Sequence, residues 1–232
     1  MQANFLRYLA LVLMLAASPS LHASPHDYRP SGVFSIILHR GGTAYWLAHN
    51  HLIVAAANQA KIVLNVSPAM VESGTLHVVV EAKNLIVDDP QLHGAWDKRI
   101  QELAILDENF IHLKEDDRVK VRTDMLADDQ LNAAVFPEIQ ADVVDIKKAP
   151  GTKGQVAFTH SAVLRLTVHG QTKAVPVIAN IRLEGDELEV EAVGTADLRD
   201  FGITPMSIML GAVRVLPNFD IYANFRAKTN SR

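Results

Sequence analysis

Residues 187 to 193, ELEVEAV, put Leu188, Val190 and Ala192 on one side of an extended chain and Glu187, Glu189 and Glu191 on the other. Side chains on a strand point alternately to opposite faces, so this pattern demands a strand with one buried face. The same pattern returns near the C-terminal end, where Phe219, Ile221, Ala223 and Phe225 alternate with Asp220, Tyr222, Asn224 and Arg226. Strands of this kind cannot stand alone. They bury their apolar faces by closing into a barrel or by packing as a sandwich.

The rest of the chain supplies the partners. Strands are expected over 32–39, 43–55, 61–66 and 75–82, set apart by Arg40-Gly41-Gly42, Ser67-Pro68 and Ser73-Gly74. Asp88-Asp89-Pro90 stops them. Ile100, Leu103 and Ala104 recur at helical spacing over 97–106, with Asp97 as the expected N-cap. A second, weaker helical pattern runs over 115–131, and Asp116 and Asp117 suit its start. Strands resume over 140–146, 155–169 and 174–183, with turns at His169-Gly170 and Glu184-Gly185-Asp186. This is an all-β chain of about eight antiparallel strands with a short helical insertion.

The N-terminal residues read as an address. Arg7 precedes an uncharged run from Tyr8 to Ala17, which is too short to span a bilayer, and Ser18-Pro19-Ser20 breaks it. A secretory signal peptide over 1–23, cut after Ala23, is expected, with Ser24–Arg232 as one domain. In a bacterium the address is the periplasm. The chain has no cysteine, so burial alone must hold it together. A net charge of −4 argues against nucleic acid or an anionic membrane surface as an electrostatic partner. No other apolar run reaches transmembrane length, so stable membrane insertion is not expected. A homodimer is left open.

Three segments carry a resemblance. Leu166-Thr167-Val168-His169-Gly170 followed by Thr172-Lys173 resembles the signature hairpin of the YceI-like family. Phe136-Pro137-Glu138-Ile139 upstream and Asp200-Phe201-Gly202-Ile203 downstream are similar to two further family segments, in the family's order. The likeness covers about residues 136–227. Earlier, Tyr28-Arg29-Pro30-Ser31 lacks the Asp that many relatives carry, and Ala48-His49-Asn50-His51 resembles a Gly-His-Asn-His element of one branch. The resemblance implies an extended lipocalin-like barrel that holds an isoprenoid or other lipid-like amphiphile, without turnover and without a cofactor.

An apolar chain in such a barrel needs inward apolar faces, not a catalytic group. The candidates are Leu164, Leu166 and Val168; Leu188 and Val190; and Phe219, Ile221 and Phe225. The same residues serve equally well in a core packed shut, which would suit a protein-interaction role. His49, His51 and His169 are the candidates for a polar head-group. His49 and His51, two apart on an expected strand, are also the alternative metal pair, with His39 as a conceivable third ligand. Their face of the strand is the less apolar one, which places them at the barrel mouth or outside. Elbow, phosphate-loop, dinucleotide and zinc-protease motifs are absent, and no enzymatic activity is expected.

Overall fold

The computed structural model describes residues 28–65, 71–185 and 187–229. The expected signal segment over 1–23 lies outside them. Among the described residues eleven strands form one antiparallel sheet: β1 (Tyr28–Gly41), β2 (His51–Ala56), β3 (Lys61–Asn65), β4 (Thr75–Glu81), β5 (Ile86–Val87), β6 (Glu138–Lys153), β7 (Val156–Val168), β8 (Gln171–Glu184), β9 (Glu187–Asp197), β10 (Ser207–Ile208) and β11 (Val213–Thr229). Two helices interrupt them, α1 (Pro90–Glu102) and α2 (Glu115–Leu126).

The ladder order is β3-β4-β6-β7-β8-β9-β11-β1-β2-β5. Its ends are joined by the chain itself. Ile53 pairs with Val87 and Lys61 with Val79, so eight steps forward on one strand match eight steps back on the other. β2–β3 and β4–β5 are therefore two long strands of one hairpin. Short 3-10 turns at Ala57–Gln59 and Ala82–Asn84 break the ladder between them. Counted this way, eight strands close a ring: β1, β2–β3, β4–β5, β6, β7, β8, β9 and β11. Beyond Val143, β6 runs on past the end of β4 and pairs with β7 alone.

The two faces of the sheet have different covers. Phe34, Ile36 and Leu38 of β1 face the interior, while Val33, Ile37, Leu52 and Val54 face outward into a cluster with Ile100 of α1, Leu103 at its C-cap, Phe110 and Phe158. The ring of Trp96 stands edge-on to Tyr222 at 4.9 Å. Burial of each such aliphatic side chain stabilises the fold by about 1.5–3 kcal/mol. Arg99 of α1 closes the contact with a two-pronged bond to Glu191, at 2.7 and 2.6 Å, and this pair holds the guanidinium even more firmly protonated than usual. Burial, with Glu191 beside it, pushes the Tyr222 phenol up to about 12.

Several expectations shift. α1 begins seven residues before Asp97: Asp89 is its N-cap, accepting from the Gln91 amide at 2.9 Å, and Pro90 opens the first turn. Asp97 sits inside the helix, where its Oδ1 accepts from the Phe110 amide at 3.1 Å. α2 stops at Leu126 rather than Leu131. The expected strand 43–55 is split by a 3-10 turn at Tyr45–Leu47, and β2 starts only at His51.

Candidate functional site

The barrel is not packed shut. A cavity of about 300 Å³ lies within it, lined by inward residues of the ring and by α2. That is the lower end of the range for small-molecule sites. From β6 and β7 come Ile139, Ala141, Val143, Leu164, Leu166 and Val168; from β9 and β11 come Val190, Phe219, Ile221 and Phe225. Of the eight residues named as inward candidates, seven line this cavity. Leu188 is buried beside Val190 and Phe225 in the core at its end.

The other wall was not legible as lining in the sequence. Phe34, Ile36 and Leu38 belong to GVFSIILH, whose two faces are both apolar because α1 covers the outer one. Phe201 and Ile203, in the turn after β9, also line the cavity. Gly202 between them takes φ +74, which lets the chain reverse while both flanking side chains stay inward. α2 has no buried residue, yet Val121 and Met125 face the cavity. The helix lies over a hollow, so its periodicity is faint. Arg122 fixes it there, donating to the Leu85 carbonyl at 3.2 Å and to the Lys83 carbonyl.

Polar lining is sparse. The Ser35 hydroxyl turns away to the Tyr222 carbonyl, and the Tyr222 hydroxyl to Glu191. Gln130 spends its amide on the Thr204 and Asp129 carbonyls. His51 is different. Its Nδ1 lies 2.6 Å from Asp88 Oδ2, and the Leu52 amide donates to Asp88 Oδ1 at 2.8 Å. Burial opposes the charge on Asp88, but the imidazoles of His51 and His93 and the Leu52 amide overcome it and hold the carboxyl below its usual range. An ionised Asp88 makes Nδ1 of His51 the donor. Nε2, without a hydrogen-bond partner among the described residues, is left as an acceptor for a ligand hydroxyl, or as a donor when the ring is protonated.

The histidines do not act as a pair on one strand face. His49 lies in the loop before β2, where burial and the neighbouring His51 push its pKa down. His51 shares its face with Ile53 and Ala55, and that face lines the cavity. Of the two places expected for the histidines, the mouth or the outside, the outside is corrected for His51: the more apolar face of β2 points at α1, not at the interior. His39 is on the outer face, with Nε2 2.8 Å from Asp220 Oδ2. Among the described residues no three His, Cys, Asp or Glu side chains are placed to hold a metal ion. His169 is not in the cavity wall; its Nδ1 meets the Phe201 carbonyl at 3.1 Å and its ring stands edge-on to Phe136.

A sequence model of the YceI-like domain matches residues 45–227. No curated protein matches the chain significantly. Among solved structures, BcnA of Burkholderia cenocepacia is similar at 12% identity with a TM-score of 0.56, covering 85% of this chain and 96% of its own. The YCEI protein of Campylobacter jejuni aligns at 16% identity with a TM-score of 0.40, covering 71% of this chain and 80% of its own.

Proposed function

This chain belongs to the YceI-like family, and from that premise we propose that it is an exported carrier that holds an isoprenoid or similar long apolar chain in its barrel without turning it over. The observation that carries the proposal is the cavity of about 300 Å³ walled by inward aliphatic and aromatic side chains. Such a wall binds by area, at about 0.8 kcal/mol per buried methylene before ordering costs. Polar groups are few in this lining, Ser35, His51, Asp124, Gln130 and Tyr222 among mostly aliphatic and aromatic side chains, and the Ser35 hydroxyl is turned away. His51, braced by Asp88, is the polar contact proposed for a hydroxyl or carbonyl at one end of the ligand. Export rests on the signal pattern over residues 1–23.

Mass spectrometry of an organic extract of gently purified protein is expected to reveal a prenyl-type lipid. An empty extract, together with no uptake of polyprenol or quinone analogues, would sink the reading. Fractionated cells should yield a periplasmic form beginning at Ser24; an intact N-terminus in the cytosol would remove the export proposal.

A further inference from the structure

The strand expected over 43–55 failed because Tyr45-Trp46-Leu47 is not in the sheet at all. These residues form an exposed turn, with Trp46 64% exposed. Beside it stands the β10–β11 hairpin, in which Ser207 pairs with Arg214 and Ile208 with Val213. The Ala44 amide donates to the Ala212 carbonyl at 2.8 Å, so turn and hairpin form one surface. At the hairpin tip Met209 and Leu210 both take left-handed backbone, at φ 52 and 55, and Leu210 is 108% exposed. Six large apolar side chains, Tyr45, Trp46, Leu47, Ile208, Met209 and Leu210, thus stand in solvent on adjoining loops. Scattered apolar residues need no explanation, but a contiguous patch does.

The patch adjoins the cavity. Met206, at the base of the hairpin, lines the cavity and is also 41% exposed, so the interior meets solvent there. Val215, opposite it, donates its amide to the Met206 carbonyl at 2.9 Å and lines the cavity too. The two loops also lack carboxylates. The chain has no Asp or Glu between Asp27 and Glu72, nor between Asp200 and Asp220, although it carries 26 in all. Glu108, on a neighbouring loop, is tied to Arg40 and Asn50. Arg214 is exposed at the hairpin's base, and Arg40 lies over the Tyr45 ring at 5.3 Å. Tyr and Trp beside Leu, Ile and Met, edged by Arg and free of acids, match the layered chemistry of a lipid–water boundary. A second copy of the chain would need no such exclusion of acids.

We propose that the Tyr45–Leu47 turn and the Ile208–Leu210 tip dock this protein on a phospholipid bilayer by shallow insertion of their apolar side chains, with the cavity mouth at Met206 set against the membrane. The chain's net charge of −4 gives no general attraction to anionic lipid, so apolar insertion supplies the affinity. The surface gives the carrier reading a route for ligand exchange and rests on that reading for its purpose, not for its test.

The test uses the mature protein and vesicles of phosphatidylethanolamine and phosphatidylglycerol, with and without brominated acyl chains. Cosedimentation is expected, and it should survive raised salt. Bromine should quench Trp46 and, in a Trp46→Phe variant, leave Trp96 bright, since Trp96 packs on Tyr222. A Met209→Asp, Leu210→Asp double variant should keep its circular dichroism and lose at least about tenfold in vesicle partitioning. A Tyr45→Ser, Leu47→Ser variant should lose binding as well. Absence of wild-type binding, or binding untouched by both variants, overturns the proposal. So does a stable dimer in ultracentrifugation that the double variant dissociates, since the patch is then a contact between copies. Docking without prenyl uptake would leave this surface standing and remove the carrier reading; uptake without docking would do the reverse.

Discussion

Asp88 shows how a single residue can be given two tasks. It is buried, has a left-handed backbone at φ 48, and bonds both the His51 ring and the Leu52 amide. Its native pKa is held below the unfolded value of about 3.9. The stability it contributes is therefore complete above that pH and is lost as pH falls through the native value. Asp88→Ala should cost about 3 kcal/mol in denaturant melts at pH 7, with the deficit shrinking below pH 4. A pH-independent deficit would show that the charge is not the cause. Gly154 is a second sensitive point. At φ 58 it approaches the end of α1 so closely that a Cβ would stand 2.3 Å from the Glu102 carbonyl oxygen. Gly154→Ala should cost about 2 kcal/mol or more, read as a lowered melting temperature.

At the scale of elements, α2 is the part with least to hold it. None of its residues is buried, and among the described residues its side-chain ties to the barrel are those of Arg122. Arg122→Ala should leave global stability within about 1 kcal/mol, since partly exposed bonds contribute little. It should speed hydrogen exchange over Glu115–Leu126 and raise the off-rate of a bound prenyl analogue. Unchanged exchange would mean that Val121 and Met125 alone seat the helix. Elements also differ in how readable they were. β7, β9 and β11 have an inner apolar face and a mixed outer one, and their alternation exposed their lining residues directly. β1 and β2 are apolar on both faces because α1 packs on the outside, so their alternation was erased. The turn at Tyr45–Leu47 misled for the opposite reason, since apolar residues there serve the surface.

For the whole molecule the decisive feature is a ring that stays hollow. A packed core resists enlargement, at about 1–3 kcal/mol for an oversized side chain. A cavity wall does not. Ala141→Phe, at a small lining residue of β6, should keep or raise the unfolding free energy while reducing uptake of a prenyl analogue at least about tenfold. Destabilisation by a few kcal/mol with normal uptake would place Ala141 in tight packing instead.

The sequence by itself determined the all-β class and most of the inward residues of the ring's C-terminal half. A period of two is a local property, and one buried face is enough to write it into the chain. Only the tertiary structure decided that the interior is open, that His51 faces it while His39 does not, and that Tyr45–Leu47 and Ile208–Leu210 form one surface. Each of these depends on what packs on the far side of a strand or beside a loop. Residues 43–48 and 206–212 meet through Ala44 and Ala212, more than 160 positions apart, and no local pattern records that meeting.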